Sequence, residues 1–282
     1  KIENFFVGRS YRVGSEFLTN ELIDELSNEV VTKTSKLFEA TKPKAGEMEV
    51  VVGAGESGIL LHEAMGHAFE ADFNRKDLSI FSDKMGKKIA ETFVRIIDDG
   101  TITGNRGALN LDDEGNPSSK TVLVNDGILT SYLHDRISAD FYKVNPTGSG
   151  RRESFRHIPM PRMRCTYMEN GPHKKDEIIA SVKNGIYVDS FSNGQVNIGQ
   201  GDFTFFVKFG YLIENGKLTK PIKDINIIGN GPRALADIVM VADDLVINNG
   251  VWTCGKNGQG APVSMGIPTV KIKKLTVGGM NA

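Results

Sequence analysis

The chain has 282 residues, 39% of them hydrophobic, and 34 Lys and Arg against 35 Asp and Glu give a formal charge of −1. That length accommodates one large domain or two small ones around a sizeable core, and the near-neutral balance excludes the strongly basic surface of a nonspecific nucleic-acid binder. No run of eighteen apolar residues is present to span a bilayer as a helix, and two cysteines in different contexts make no disulfide framework, so a cytoplasmic protein without membrane or direct nucleic-acid contact is expected.

Residues Ile2 to Val13 read as an extended segment. From Ser15, a plausible cap, a helical pattern follows through Phe17, Leu18, Leu22, Ile23, Leu26, Val30, Val31, Leu37 and Phe38, and it ends near Thr41-Lys42-Pro43, where proline cannot continue it. A strand at Met48 to Val52 delivers the glycine loop Gly53 to Gly58, with Ser57 as N-cap of a second helix whose Leu60, Leu61, Met65 and Phe69 face a core. Beyond it the chain turns largely β. Asp98-Asp99-Gly100, Asn125-Asp126-Gly127, Lys183-Asn184-Gly185 and Glu214-Asn215-Gly216 are tight-turn signals between β-branched runs, which predicts at least three hairpins. Asn105 to Ser119 is a polar, acidic loop, and a further helix is expected over Arg233 to Ala242. The fold class is α+β with extensive antiparallel sheet and no internal repeat.

The second helix carries His62-Glu63-Ala64-Met65-Gly66-His67, two of the five histidines of the chain. Neutral imidazole is a common zinc donor, and a glutamate beside a metal site is a usual proton acceptor in peptide hydrolysis. Five-residue spacing would splay the two rings by roughly 140° on an ideal helix. Both rings reach one ion only if the backbone is overwound or bulged between them, and Gly66 stands where such relief, a one-residue π-bulge for example, is easily accommodated. The alternative is a plain polar face on an amphipathic helix.

A catalytic zinc needs a third protein donor. Glu70, Asp72, His134, His157, His173, Cys165 and Cys254 are available. Cys165 lies in an alternating, strand-like stretch and reads as a small packed residue. Cys254 lies in the glycine-rich Trp252 to Gly260, where a thiol is presented and Lys256 is near enough to favour its thiolate. On position alone, ligand and lone buried thiol both remain open for Cys254. The stretch Gly148 to His157 sets Arg151, Arg152 and Arg156 beside a flexible loop. They are candidates for binding a peptide carboxylate, stabilising an oxyanion or pairing with phosphate, the alternative being a salt-bridged turn.

Four separated blocks give the chain a resemblance to the TldD/PmbA family of metalloproteases, and to its TldD-like catalytic type. They are Leu60 to His67 running into Phe69 to Phe73; Gly148 to Ser154 with Pro159 to Met163; Cys254 to Gln259; and Gly266 to Thr269 with Leu275 to Gly279. Ala68 and Ala71 stand where family members often have glycine. The resemblance implies that His62, His67 and Cys254 hold Zn2+, that Glu63 is the general base or acid, and that the arginine segment lines the cleft or a subunit contact. It implies a metalloprotease-like catalytic domain over residues 46–282, with residues 1–45 a strand and helix linking to a further N-terminal domain. It also implies a dimer, either with itself or with a PmbA-like subunit. Since the chain starts at Lys1 and shows no secretory leader, it is expected to begin partway through a gene product.

The expected function is zinc-dependent hydrolysis of peptide bonds in unfolded or extended peptides by a metallopeptidase of the His-Glu-x-x-x-His type. The alternatives are a partner-binding, gyrase-modulator-like regulatory module whose metal is structural, and a metalloenzyme that is not a hydrolase.

Overall fold

Apart from His62, Glu63 and His67, the stretch from Ile59 to Phe69 is apolar or small on every face, and a helix of that kind must be buried all round. The computed structural model, which describes residues 1–279, places it between two sheets. In chain order the strands are β1 (Gly46–Val52), β2 (Ile96–Asp99), β3 (Lys120–Asn125), β4 (Ile128–Leu129), β5 (Gly150–Arg151), β6 (Met160–Pro161), β7 (Cys165–Met168), β8 (Asn184–Val196) and β9 (Asp202–Glu214). There follow β10 (Lys217–Ile222), β11 (Ile225–Asn230), β12 (Ile238–Val241), β13 (Val246–Asn248), β14 (Thr253–Lys256), β15 (Gln259–Pro262), β16 (Ser264–Ile267) and β17 (Val270–Gly279).

The larger sheet runs β1-β8-β9-β11-β17-β12, with β10 beside β9. Because β1 also pairs with β17, the strands β1, β8, β9, β11 and β17 form a closed ring, so this part of the sheet is barrel-like. Period-2 alternation fills its interior: Phe203, Phe205 and Val207 of β9 are buried at every second position, joined by Val50, Ile186, Ile227, Ile272 and Val277. The smaller sheet runs β13-β16-β7-β2-β3-β4. Pairing is mostly antiparallel, with β1–β8 and β7–β16 parallel, and the chain as a whole is a mixed α/β structure with few helices.

Several expected elements shift. The first helix, α1, spans Asn20–Leu37 and is capped by Thr19, whose hydroxyl accepts from the Leu22 amide; Ser15 opens a separate 3-10 turn. Only Leu37 of α1 is fully buried, while Leu18, Ile23 and Val31 are exposed. Ser57 is no cap: its hydroxyl turns to the Val188 and Asp189 carbonyls of β8. Asn125-Asp126-Gly127 and Asn215-Gly216 make tight hairpins through left-handed residues. Asp98-Asp99-Gly100 does not, because Asp98 is drawn inward by a buried arginine. Lys183-Asn184-Gly185 opens β8, and Gly185 is needed because a side chain there would strike the Glu49 backbone of β1. The helix expected over 233–242 stops at Ala236, since Ile238 to Val241 pair with β17 as β12. The loop 105–119 is tied down by Asp112, which accepts from the Glu114, Asn116 and Gly150 amides.

The arginine that draws Asp98 inward is Arg164. It is fully buried and donates through Nε to Asp98 at 2.6 Å, and its backbone amide and the Thr166 hydroxyl bond the other carboxylate oxygen. Its remaining donors reach the Ser118 and Thr121 hydroxyls and the Thr147 and Gly148 carbonyls, so the long loops are pinned to β2 and β7 through one guanidinium. Removing the carboxylate would leave a buried cation unpaired. We therefore expect Asp98→Ala to destabilise the fold by about 3–5 kcal/mol in denaturant titration.

Candidate metal centre

The helical segment is not uniform. Ile59–Leu61 is α-helical, His62–Gly66 is a π-turn, and His67–Phe69 closes as a 3-10 turn. Within the π-turn the His67 amide donates to the His62 carbonyl five residues back, which brings the fifth residue over the first. The two rings therefore face the same side, with centroids 5.2 Å apart at 81°. Gly66 permits the turn, since a Cβ there would run into the Met163 sulfur. Gly231 permits the neighbouring helix Gly231–Ala236 to approach, as a methyl at that position would meet the Ala64 carbonyl. The bulge inferred from the spacing is thus where Gly66 indicated.

The third member arrives from a distant part of the chain. Thr253–Lys256 and Gln259–Pro262 form a two-stranded hairpin, turned at Asn257-Gly258 with both residues left-handed. Cys254 is buried in it, not presented on a loop as its sequence context had indicated. Its Sγ lies 3.3 Å from His67 Nε2, and donor atoms of His62, His67 and Cys254 all fall within 4.8 Å of one another. Burial alone would raise the thiol, but the imidazoles of His62 and His67 outweigh it and bring Cys254 down to about 4. Lys256 is not among the main causes of that shift. It points instead to Glu70 at 3.1 Å and Asp72 at 2.7 Å.

Glu70, weighed in sequence as a ligand, is fully buried and accepts from His67 Nδ1 at 2.8 Å. Burial opposes its charge, yet Lys256 and His67 hold it at about 2. Burial likewise opposes the charged form of His67, but Glu70 and the Cys254 thiolate raise this ring well above its ordinary value. With Nδ1 bonded to the carboxylate, Nε2 is the ring atom aimed at Cys254. Neither ring nitrogen of His62 has a hydrogen-bond partner although the ring is buried, an arrangement that needs an explanation in a folded protein. Two imidazoles and a thiolate form a donor set suited to zinc, and a cation among them would occupy the orphaned ring.

Glu63 stands at the mouth of the cluster. One of its carboxylate oxygens is 3.8 Å from His67 Nε2, and a quarter of its side-chain surface remains exposed. It lines a cleft of about 210 Å³ with His62, Cys254, Asn193 and Trp252.

The other sequence candidates lie apart. Arg151 is buried and donates to the Met163 and Pro262 carbonyls. Arg152 faces Asp113 at 3.6 Å, and Arg156 is exposed against the Phe155 ring. None of these three lines the cleft. Cys165 is a packed residue of β7, its thiol pushed up by burial. His134 sits among Tyr132 and Tyr142 and is lowered by burial to about 4. His157 bonds Ser154, and His173 bonds the Val241 backbone. Composition around Arg162 gave no hint of its place: this buried guanidinium donates to the Cys254 and Gln259 carbonyls and supports the hairpin from below.

Comparison with known proteins identifies the family of the chain. Residues 45–279 match the sequence profile described as the PmbA/TldA metallopeptidase C-terminal domain. The chain is 48% identical over 255 residues to a Metalloprotease TldD homolog of Haemophilus influenzae, covering 90% of this chain and 53% of that protein. It is 33% identical over 264 residues to a Zinc metalloprotease TldD homolog of Saccharolobus solfataricus, covering 93% and 58%. The chain spans about half the length of the curated relatives it matches. Among solved structures, TldE of Thermococcus kodakarensis superposes with a TM-score of 0.75 at 22% identity, over 91% of this chain and 56% of that one. A Thermotoga maritima protein described as a candidate modulator of a DNA gyrase gives 0.74 at 22%, over 90% and 55%. With a profile match across most of its length and close relatives over nine-tenths of it, the chain belongs to the PmbA/TldA metallopeptidase family.

Proposed function

We propose that the chain is the catalytic part of a zinc-dependent peptidase acting on extended or unfolded peptides. The observation that carries this reading is the convergence of His62, His67 and Cys254 within 4.8 Å, two imidazoles and a thiolate poised below its usual range beside an accessible cleft. Those three residues would hold the ion. A zinc ion supplies Lewis acidity when bound, polarising a scissile carbonyl and acidifying water. Glu63 is the residue that moves the proton: its carboxylate, 3.8 Å from His67 Nε2 at the mouth of the cluster, takes a proton from water and returns it to the leaving amine. Glu70 orients His67 and takes no part in proton transfer, being fully buried behind the ring.

The peptide's path is suggested by β8. Along Ser190 to Val196 this strand pairs with β9 on one side, whereas its partnership with β1 ends at Val188. Ser192 and Asn193, which line the cleft, therefore lie on a strand margin where an extended backbone can pair without regard to its side chains. Sharing Ser192 and Trp252 with the cleft is an apolar cavity of about 350 Å³, walled by Phe5, Phe6, Phe191 and Val251. It suits a bulky apolar side chain next to the scissile bond.

A structural metal in a partner-binding module, the reading that the gyrase-modulator description of one fold neighbour would favour, needs a closed site. An open cleft with a carboxylate at its mouth supports the catalytic reading instead. The likeness to TldE supports a second subunit of the same fold as partner, either another copy or a PmbA-like chain. Two unpaired cysteines fit a cytoplasmic setting.

Three measurements test this reading. Glu63→Gln should slow cleavage of an unstructured peptide by about 10²–10⁴-fold with zinc content by metal analysis unchanged; normal turnover would remove Glu63 from the chemistry. Cys254→Ser should lose zinc to a chelator concentration that leaves the parent chain loaded, because hydroxyl is a far poorer ligand than thiolate. In a peptide series varied beside the scissile bond, kcat/KM for Phe or Leu should exceed that for Gly by on the order of tenfold or more, and Val251→Asp should shrink that ratio.

A further inference from the structure

Hairpin β14–β15 delivers the sulfur, yet it is a two-stranded sheet separate from both large ones, so no extended ladder fixes its position against the helical segment. Something else must hold Cys254 opposite His67. Along β14 burial alternates, with Thr253 and Gly255 outward and Cys254 and Lys256 inward, as the strand period requires. The two inward side chains meet two residues of the histidine-bearing segment. Cys254 Sγ is 3.3 Å from His67 Nε2, and Lys256 Nζ is 3.1 Å from Glu70, whose same oxygen accepts from His67 Nδ1 at 2.8 Å.

These contacts form a closed loop: sulfur to imidazole, imidazole to Glu70, Glu70 to Lys256, and Lys256 back along the strand to the sulfur. Asp72 at 2.7 Å and the Pro161 carbonyl at 2.9 Å take further lysine donors, and the Phe73 ring covers the ammonium at 4.3 Å. Arg162 grips the hairpin through the Cys254 and Gln259 carbonyls, but its donors go to the hairpin's own backbone, not to the histidine-bearing segment. Lys256 is therefore the side chain that ties the strand bearing the thiolate to the carboxylate that orients the ring.

We propose that Lys256 is a positioning residue that sets the register of Cys254 against His67, so that metal affinity depends on a lysine that is not itself a ligand. The proposal rests on the metal-binding reading above. A buried ammonium shared by Glu70 and Asp72 is directional enough to fix a short hairpin, whereas an apolar side chain in its place would take away the largest charge that holds Glu70 and cut its tie to the hairpin. Partners of this kind, one shell behind the ligands, typically govern metal affinity by about 10–100-fold.

The test uses cobalt(II) as probe on the full chain, titrated against a competing chelator, with the visible ligand-field bands reporting bound metal and the near-ultraviolet sulfur-to-metal band reporting the thiolate. Lys256→Met is expected to weaken cobalt binding about 10–100-fold and to lower the sulfur band relative to the visible bands, while far-ultraviolet circular dichroism stays that of the parent. A merely structural lysine would lower the melting temperature and leave that ratio alone. Should Lys256→Met fold poorly, Glu70→Gln loosens the same tie from the other side, keeping a hydrogen bond to His67 but losing the charge that holds Lys256, and the same selective loss of the sulfur band is expected. A folded variant with parental affinity and parental band ratio overturns the proposal alone. A parent chain that takes up no cobalt overturns it together with the metal-binding reading.

Discussion

One backbone hydrogen bond organises the centre of this protein: the His67 amide donating to the His62 carbonyl across five residues. With ordinary α-helical spacing the two imidazoles would diverge by roughly 140° and would not face the same side. The wider turn is sustained by its surroundings. Gly66 leaves room for the Met163 sulfur, Gly231 lets a neighbouring helix reach the Ala64 carbonyl, and the apolar residues on either side are buried against both sheets. A π-turn in isolation is a poor structure. Here the packing against both sheets holds the segment away from a regular helix.

Around that turn the protein keeps several charges out of water. Glu70 and Lys256 neutralise one another behind His67, Arg164 and Asp98 do so beneath the long loops, and Arg151 and Arg162 donate to backbone carbonyls. Such arrangements contribute little net stability, because the desolvation of each partner offsets the attraction. Their value is directional. A guanidinium with several fixed acceptors, or an ammonium shared by two carboxylates, accepts one geometry and excludes its neighbours. That specificity is what a hairpin outside both large sheets needs if its cysteine is to meet two rings nearly two hundred residues earlier in the chain.

The sheets serve a different purpose. The ring of β1, β8, β9, β11 and β17 is filled by alternating aromatic and aliphatic side chains and gives a rigid wall, while β8 runs past the end of β1 and leaves a margin beside the cleft. Rigidity and accessibility thus come from the same strand. His62, buried and with no polar partner for its ring, lines that cleft together with Glu63, whose side chain stays a quarter exposed.

Much of this was legible in the residues. The two histidines and the glutamate stood out by type and spacing as candidates, and the five-residue interval required an overwound or bulged backbone to bring the rings together, which the π-turn ending at Gly66 supplies; Asn-Asp-Gly and Glu-Asn-Gly located true hairpins because left-handed turns need those residues. What local pattern misread, tertiary contact had decided. Ser57 turned to β8 instead of capping a helix, Asp98 was drawn to Arg164 instead of opening a turn, and Ile238 to Val241 joined β17 because an unpaired edge offers more than helix propensity does. Lys256 was placed beside the thiol by proximity in sequence, yet its charge answers Glu70 and Asp72. The sequence by itself determined which groups are chemically able to bind a cation and move a proton. Only the tertiary structure decided which of the available donors meet, since that depends on contacts between segments far apart in the chain, whose energies no local pattern encodes.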